Sequence, residues 1–145
     1  MTNSNTNREH RKAIRQKSNT ADYQYTLMTL ISDASTHVDV LVAQPAALVA
    51  MKLQSAMNRG AAKEGSDLLD IVRLTTDSTT SRSVVDGLRA AGQQLKDDAH
   101  LHVLRWFEQG RDRTLKRIKG IPEGEGTTQD DLILVAELLA AALTR

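Results

Sequence analysis

The stretch Ala46–Leu74, AALVAMKLQSAMNRGAAKEGSDLLDIVRL, decides how this chain folds. It reads as two apolar helices in succession. Pro45 opens the first, since proline suits the first helical position, where its missing N–H has no intrahelical partner. Good helix formers follow to about Asn58, and Gly60 marks the stop. AAKEG then reads as a short connector. Ser66 reads as the N-cap of the second helix, with Asp67 and Asp70 in its first turn, where negative charge suits the dipole. One residue disturbs the pattern: Lys52 interrupts the most apolar part of the first helix.

Working outward, the composition supports helices. The 145 residues amount to one domain, and only 3% are aromatic, so the core must be built from Leu, Val, Ile, Ala and Met. That composition favours packed helices over a sandwich or barrel. C-terminal to the opening stretch, Val84, Leu88, Ala91 and Leu95 fall at i, i+4, i+7 and i+11, the stripe of an amphipathic helix. A further helix starts near Asp97 or Asp98 and carries Leu101, Leu104, Trp106 and Phe107. Gly110 weakens its middle, and Leu115 and Ile118 continue it to Gly120. Thr127 or Thr128 caps the last helix, whose buried stripe is Leu132, Val135, Leu139 and Leu143.

On the N-terminal side, Tyr23–Leu30 and His37–Ala43 alternate and carry β-branched residues. They read as two short strands joined by SDAST. A two-stranded ribbon is marginal alone, so these strands are expected to pack on the helices or to derive from a larger sheet. Residues 1–20 hold five basic residues and one acidic one and read as a flexible basic arm. The expected fold is therefore mainly α: about five helices in a single domain over residues 21–145, with one or two short N-terminal strands.

Other classes fall away. Cysteine is absent, which removes disulfides, thiolate metal sites and a cysteine nucleophile, and fits a reducing compartment. His100 and His102, two apart, fall on different helix faces, and no metal ligand set is expected. No run approaches the ~18 apolar residues of a membrane span, and the polar N-terminus lacks the apolar region of a secretory signal. The cytoplasm is the expected location. A net charge of +1 gives no overall case for a nucleic-acid partner. Charge is uneven, however: Arg105–Lys119 has six basic residues against Glu108 and Asp112. That segment either neutralises the acidic C-terminal segment or presents Arg111, Arg113, Lys116 and Arg117 to nucleic acid.

Lys52 has two readings. It snorkels, with its stem on the core and its ammonium in water, or it points into a polar cleft. Arg59, two turns on and on the same face, would form a cationic ridge with it, suited to phosphate oxygens. Asp67 and Asp70 likewise either serve the helix and pair with Arg73 or Arg59, or orient Lys52 or a bound Mg²⁺–nucleotide.

Pro45, Leu48, Lys52, Leu53 and Arg59, followed by Lys63, Asp67, Asp70 and Ile71, resemble in order and spacing the C-terminal half of AbiEii-type nucleotidyltransferase toxins. The resemblance covers roughly Val38–Leu74. It implies a nucleotidyltransferase α/β core followed by a helical domain, and transfer of a nucleotide from an NTP to an acceptor, in some members the 3′ end of tRNA. It implies Mg²⁺ and NTP as cofactor and substrate. Lys52 would contact the nucleotide phosphates and Asp70, or Asp67, would complete the site, with Arg59 and Asp67 adding to phosphate binding. The chain departs from that family in one respect. No Gly-Ser followed by D-x-D stands in the first 44 residues, and Gly65-Ser66 falls in the wrong order. The strands would then be a remnant of the core, and the chain a fragment or one half of a split enzyme, inactive alone. The implied partners are the missing core or split half, an antitoxin protein and tRNA. The competing expectation is a non-catalytic helical interaction module, or an antitoxin-like partner, that binds through the Arg105–Lys119 face.

Overall fold

The computed structural model describes residues 25–31 and 37–144, and the chain is mainly helical. The expected arm at residues 1–20 and the turn at residues 32–36 lie outside the described residues. The chain divides into two compact units at the Gln44–Pro45 junction. In the first, β1 (Tyr25–Ile31) and β2 (His37–Ala43) pair antiparallel, with Met28 opposite Val40 and Leu30 opposite Val38. In the second are six helices: α1 (Pro45–Ser55), α2 (Ala61–Thr76), α3 (Ser81–Arg89), α4 (Gln93–Val103), α5 (Arg111–Lys119) and α6 (Gln129–Leu143). Among the described residues no helix is long and apolar enough to cross a membrane.

The helical unit is organised around α2, which packs against α1, α3, α5 and α6. Its sequence explains this: Leu68, Leu69, Ile71 and Val72 are buried, and so are Glu64, Asp67 and Thr75 between them. A helix with one apolar stripe serves one interface, whereas this one is enclosed on several sides. From α1 come Ala46, Val49, Ala50 and Leu53, at i, i+3, i+4 and i+7, and α6 supplies Leu132, Val135, Leu139 and Leu143, as the sequence predicts. Trp106 and Phe107 are core residues. The last helix starts with a capping box in which Thr128 Oγ1 accepts from the Asp131 amide and the Asp131 carboxylate accepts from the Thr128 amide at 2.8 Å.

Three boundaries differ from expectation. AAKEG is not a connector but the first turn of α2, and Ser66 lies inside the helix. Its residues apart from Gly65 are strong helix formers, and Gly60, extended at φ −63° and ψ 159°, acts as the N-cap. Gly65 is tolerated inside the helix because a Cβ there would stand 2.5 Å from the Arg117 carbonyl oxygen. Its hydrogen lets the backbones of α2 and α5 approach closely. Second, the helix expected through Val84 and Leu95 breaks at Ala90–Gly92, and Gly92 caps a new helix.

Third, the helix expected to run through Gly110 is interrupted, which brings the helices among the described residues to six, against the expectation of about five. Leu104–Gln109 forms a π-helical turn that ends at Gly110. A Cβ at Gly110 would clash with the Arg105 carbonyl oxygen. Carbonyls displaced from the helical ladder gain side-chain donors instead: Thr114 Oγ1 donates to Trp106 O at 2.7 Å, and Arg111 Nε to Phe107 O at 2.9 Å.

Candidate functional site

Because α2 begins at Ala61, Asp67 and Asp70 are mid-helix, beyond the first turn where the dipole favours negative charge. Their counter-charge comes from a neighbouring segment. The last turn of α1 carries Lys52, and the chain leaving α1 passes through a short 3₁₀ turn, Ala56–Asn58, before Arg59. An antiparallel return of this kind lays Lys52 and Arg59 alongside the middle of α2.

The geometry is tight at the lysine and loose at the arginine. Lys52 Nζ donates to Asp67 Oδ1 at 3.0 Å and to Asp70 Oδ2 at 2.7 Å. Arg59 Nε lies 3.5 Å from the second oxygen of Asp67, and that buried oxygen receives no hydrogen bond from a described residue. Exposure grades across the cluster. The Asp67 side chain is 5% exposed, Lys52 19%, Asp70 40% and Arg59 44%. Asp67 is thus an enclosed anion that joins two cations, and Asp70 is a rim anion on one of them.

Burial works against the Lys52 ammonium. The hydrogen bonds to Asp70 and Asp67, together with the negative charge of both, outweigh it, so its pKa stands above the ordinary lysine value. The cluster accordingly holds a charged lysine. It carries two positive and two negative charges and is neutral as a set.

The structure therefore brings Lys52, Arg59, Asp67 and Asp70 together. Lys52 does not snorkel away from the carboxylates, and Arg73 pairs with neither aspartate but donates to the Glu123 carbonyl at 3.1 Å. Among the described residues no three His, Asp or Glu side chains gather as a metal-holding group. The two carboxylates that do meet are both engaged by Lys52 and do not fit a divalent cation as they stand.

The second set of sequence-selected residues, on α5, has other occupations. Arg111 is bonded to Phe107 O. Arg117 Nε and Arg113 Nη2 approach Glu64 Oε1 at 3.5 and 3.8 Å, and the Arg113 guanidinium lies 6.0 Å from the centre of the Trp106 ring. Lys116 is exposed. With Arg113, Arg117, Gly120, Ile121 and Ala61 it lines a shallow depression beside the start of α2.

Glu64 was missed by sequence reasoning, which placed it in a connector. The signal that could have found it is the helix-forming run Ala61–Glu64, since a helix begun there sets Glu64 and Asp67 one turn apart. Comparison with family models, with curated proteins and with solved structures finds no match to this chain.

Proposed function

We propose that this chain is the helical, phosphate-handling part of an AbiEii-like nucleotidyltransferase. In this reading it works with a nucleotidyltransferase core that carries the Gly-Ser and D-x-D residues and binds the Mg²⁺–NTP. The observation that carries the reading is the convergence of Lys52 from α1, Arg59 from the turn after it, and Asp67 and Asp70 from α2 onto one partly exposed edge. These are the positions at which the resemblance places the phosphate contact and its acidic partner.

The chemistry is substitution at the α-phosphorus of the NTP. A hydroxyl oxygen of the acceptor, tRNA in the closest analogy, forms the new P–O bond, the bond to pyrophosphate breaks, and the hydroxyl proton is lost to solvent or a base. Such reactions depend mostly on positioning and charge stabilisation. Lys52, held as an ammonium, supplies positive charge to the departing pyrophosphate, and Arg59 offers a planar fork to a second oxygen. No metal-dependent step is assigned to these residues, because Lys52 already occupies both carboxylates.

The test is transfer of label from NTPs, with Mg²⁺, to total tRNA. The expectation is no labelling by the chain alone, and labelling when a core with Gly-Ser and D-x-D is supplied. Lys52→Ala should then abolish labelling without loss of helical content. Robust labelling by the chain alone, or labelling that survives Lys52→Ala, would contradict the proposal.

A further inference from the structure

The two aspartates of the cluster are held unequally. Asp67 is enclosed, and its two oxygens face two cations, Lys52 at 3.0 Å and Arg59 at 3.5 Å. Moving it would take one of two anionic partners from Lys52 and the ion-pair partner from Arg59. Asp70 is 40% exposed and meets only Lys52 among the described residues, at 2.7 Å. Exchanging it for another anion costs little, because water already reaches it and Lys52 keeps an anionic partner throughout. Arg59, 44% exposed, rests on Asp67 without a hydrogen bond, so its N–H donors are not spent there.

We infer that Asp67 is a positioning residue that sets Lys52 and Arg59 side by side for a phosphate group, and that Asp70 is a displaceable counterion that masks Lys52 until the phosphate arrives. The inference rests on the nucleotidyltransferase reading for the identity of the ligand, but the exchange itself is testable without it. In the resting chain Lys52 is satisfied by two carboxylates and has little call on solvent anions. An incoming phosphate oxygen takes the place of Asp70 Oδ2 on Lys52 Nζ, and a second oxygen accepts from the Arg59 fork. Asp67 stays in place and keeps the two cations in register. The consequence is a site closed to weak anions and opened by a multiply charged one.

The experiment titrates inorganic pyrophosphate into the full chain and follows the Lys52 side chain by NMR, for the wild type, Asp70→Asn, and Asp70→Asn with Arg59→Ala. Asp70→Asn should bind pyrophosphate about tenfold more tightly, since a competing unit charge is gone. Adding Arg59→Ala should remove that gain. Unchanged or weaker binding by Asp70→Asn overturns the inference, and so does a thermal melt showing that Asp70→Asn loses its fold. Tighter pyrophosphate binding without any Lys52-dependent transfer in the reconstituted assay would uphold this inference and sink the nucleotidyltransferase reading. Lys52-dependent transfer with unchanged pyrophosphate affinity would do the reverse.

Discussion

Glu64 and Asp67 lie one turn apart on α2, and both are buried carboxylates faced by two cations, yet they are held in different ways. Asp67 accepts a hydrogen bond at 3.0 Å from Lys52, a side chain that is itself largely covered. Glu64 Oε1 accepts none from a described residue, and the arginines that approach it, Arg117 at 3.5 Å and Arg113 at 3.8 Å, are 39% and 61% exposed. Solvent screens the second pair of contacts far more than the first. Equal burial therefore does not mean equal constraint. The Lys52–Asp67 contact between α1 and α2 is a fixed arrangement, and the α2–α5 node is a charge balance whose arginines are 39% and 61% exposed.

The largest effect that tests this contrast is Asp67→Ala. It leaves Lys52 half of its partners and Arg59 none among the described residues, at a cost of about 3 kcal/mol, the low end for breaking a buried pair because Lys52 keeps Asp70. Chemical denaturation measures it. A loss below about 1 kcal/mol, the scale of a surface pair, would place Asp67 in the same class as an exposed residue.

Next comes the pH dependence of the same node. The folded-state pKa of Lys52 is raised, so its stabilising contribution is complete below the ordinary lysine value of 10.5 and is lost as the pH rises through the folded-state value. Thermal melts from neutral to strongly alkaline pH should show wild type losing more stability above pH 10.5 than Lys52→Met does. Parallel curves would mean that the ammonium contributes nothing to the fold.

Glu64→Gln should have the smallest effect, about 1 kcal/mol or less, because it removes charge but keeps shape and the arginines retain water. That loss should shrink as salt is added, whereas the Asp67→Ala loss should hardly change. If Glu64→Gln equals Asp67→Ala in both size and salt dependence, the distinction between the two nodes fails.

Much of this was legible in the sequence, for identifiable reasons. Stripes such as Val84–Leu88 and Leu132–Leu143 follow the helical period, and Thr128 with Asp131 carries its own cap, so each could be read locally. The start of α2 could not, because Ser66 offers a better-looking cap than Gly60. What decides against it is the close passage of α5 over Gly65, a contact about fifty residues distant in sequence. The interruption at Gly110 is similar, since its stability depends on Thr114 and Arg111 reaching back to the carbonyls of Trp106 and Phe107. For the candidate site, Lys52, Arg59, Asp67 and Asp70 were singled out by the family resemblance, while their spacing alone left the structural and the functional readings open. The unequal exposure of the two aspartates is a tertiary property that spacing does not encode.

The most direct test of the central claim is an NMR titration of the lysine-labelled full chain, supplied with a core that carries Gly-Ser and D-x-D, with an Mg²⁺–NTP. The account predicts a saturable shift of the Lys52 signal, assigned by its absence in Lys52→Met, with the α5 lysines Lys116 and Lys119 little affected. Shifts confined to Lys116 and Lys119, or no shift at Lys52 at saturating nucleotide, would contradict it.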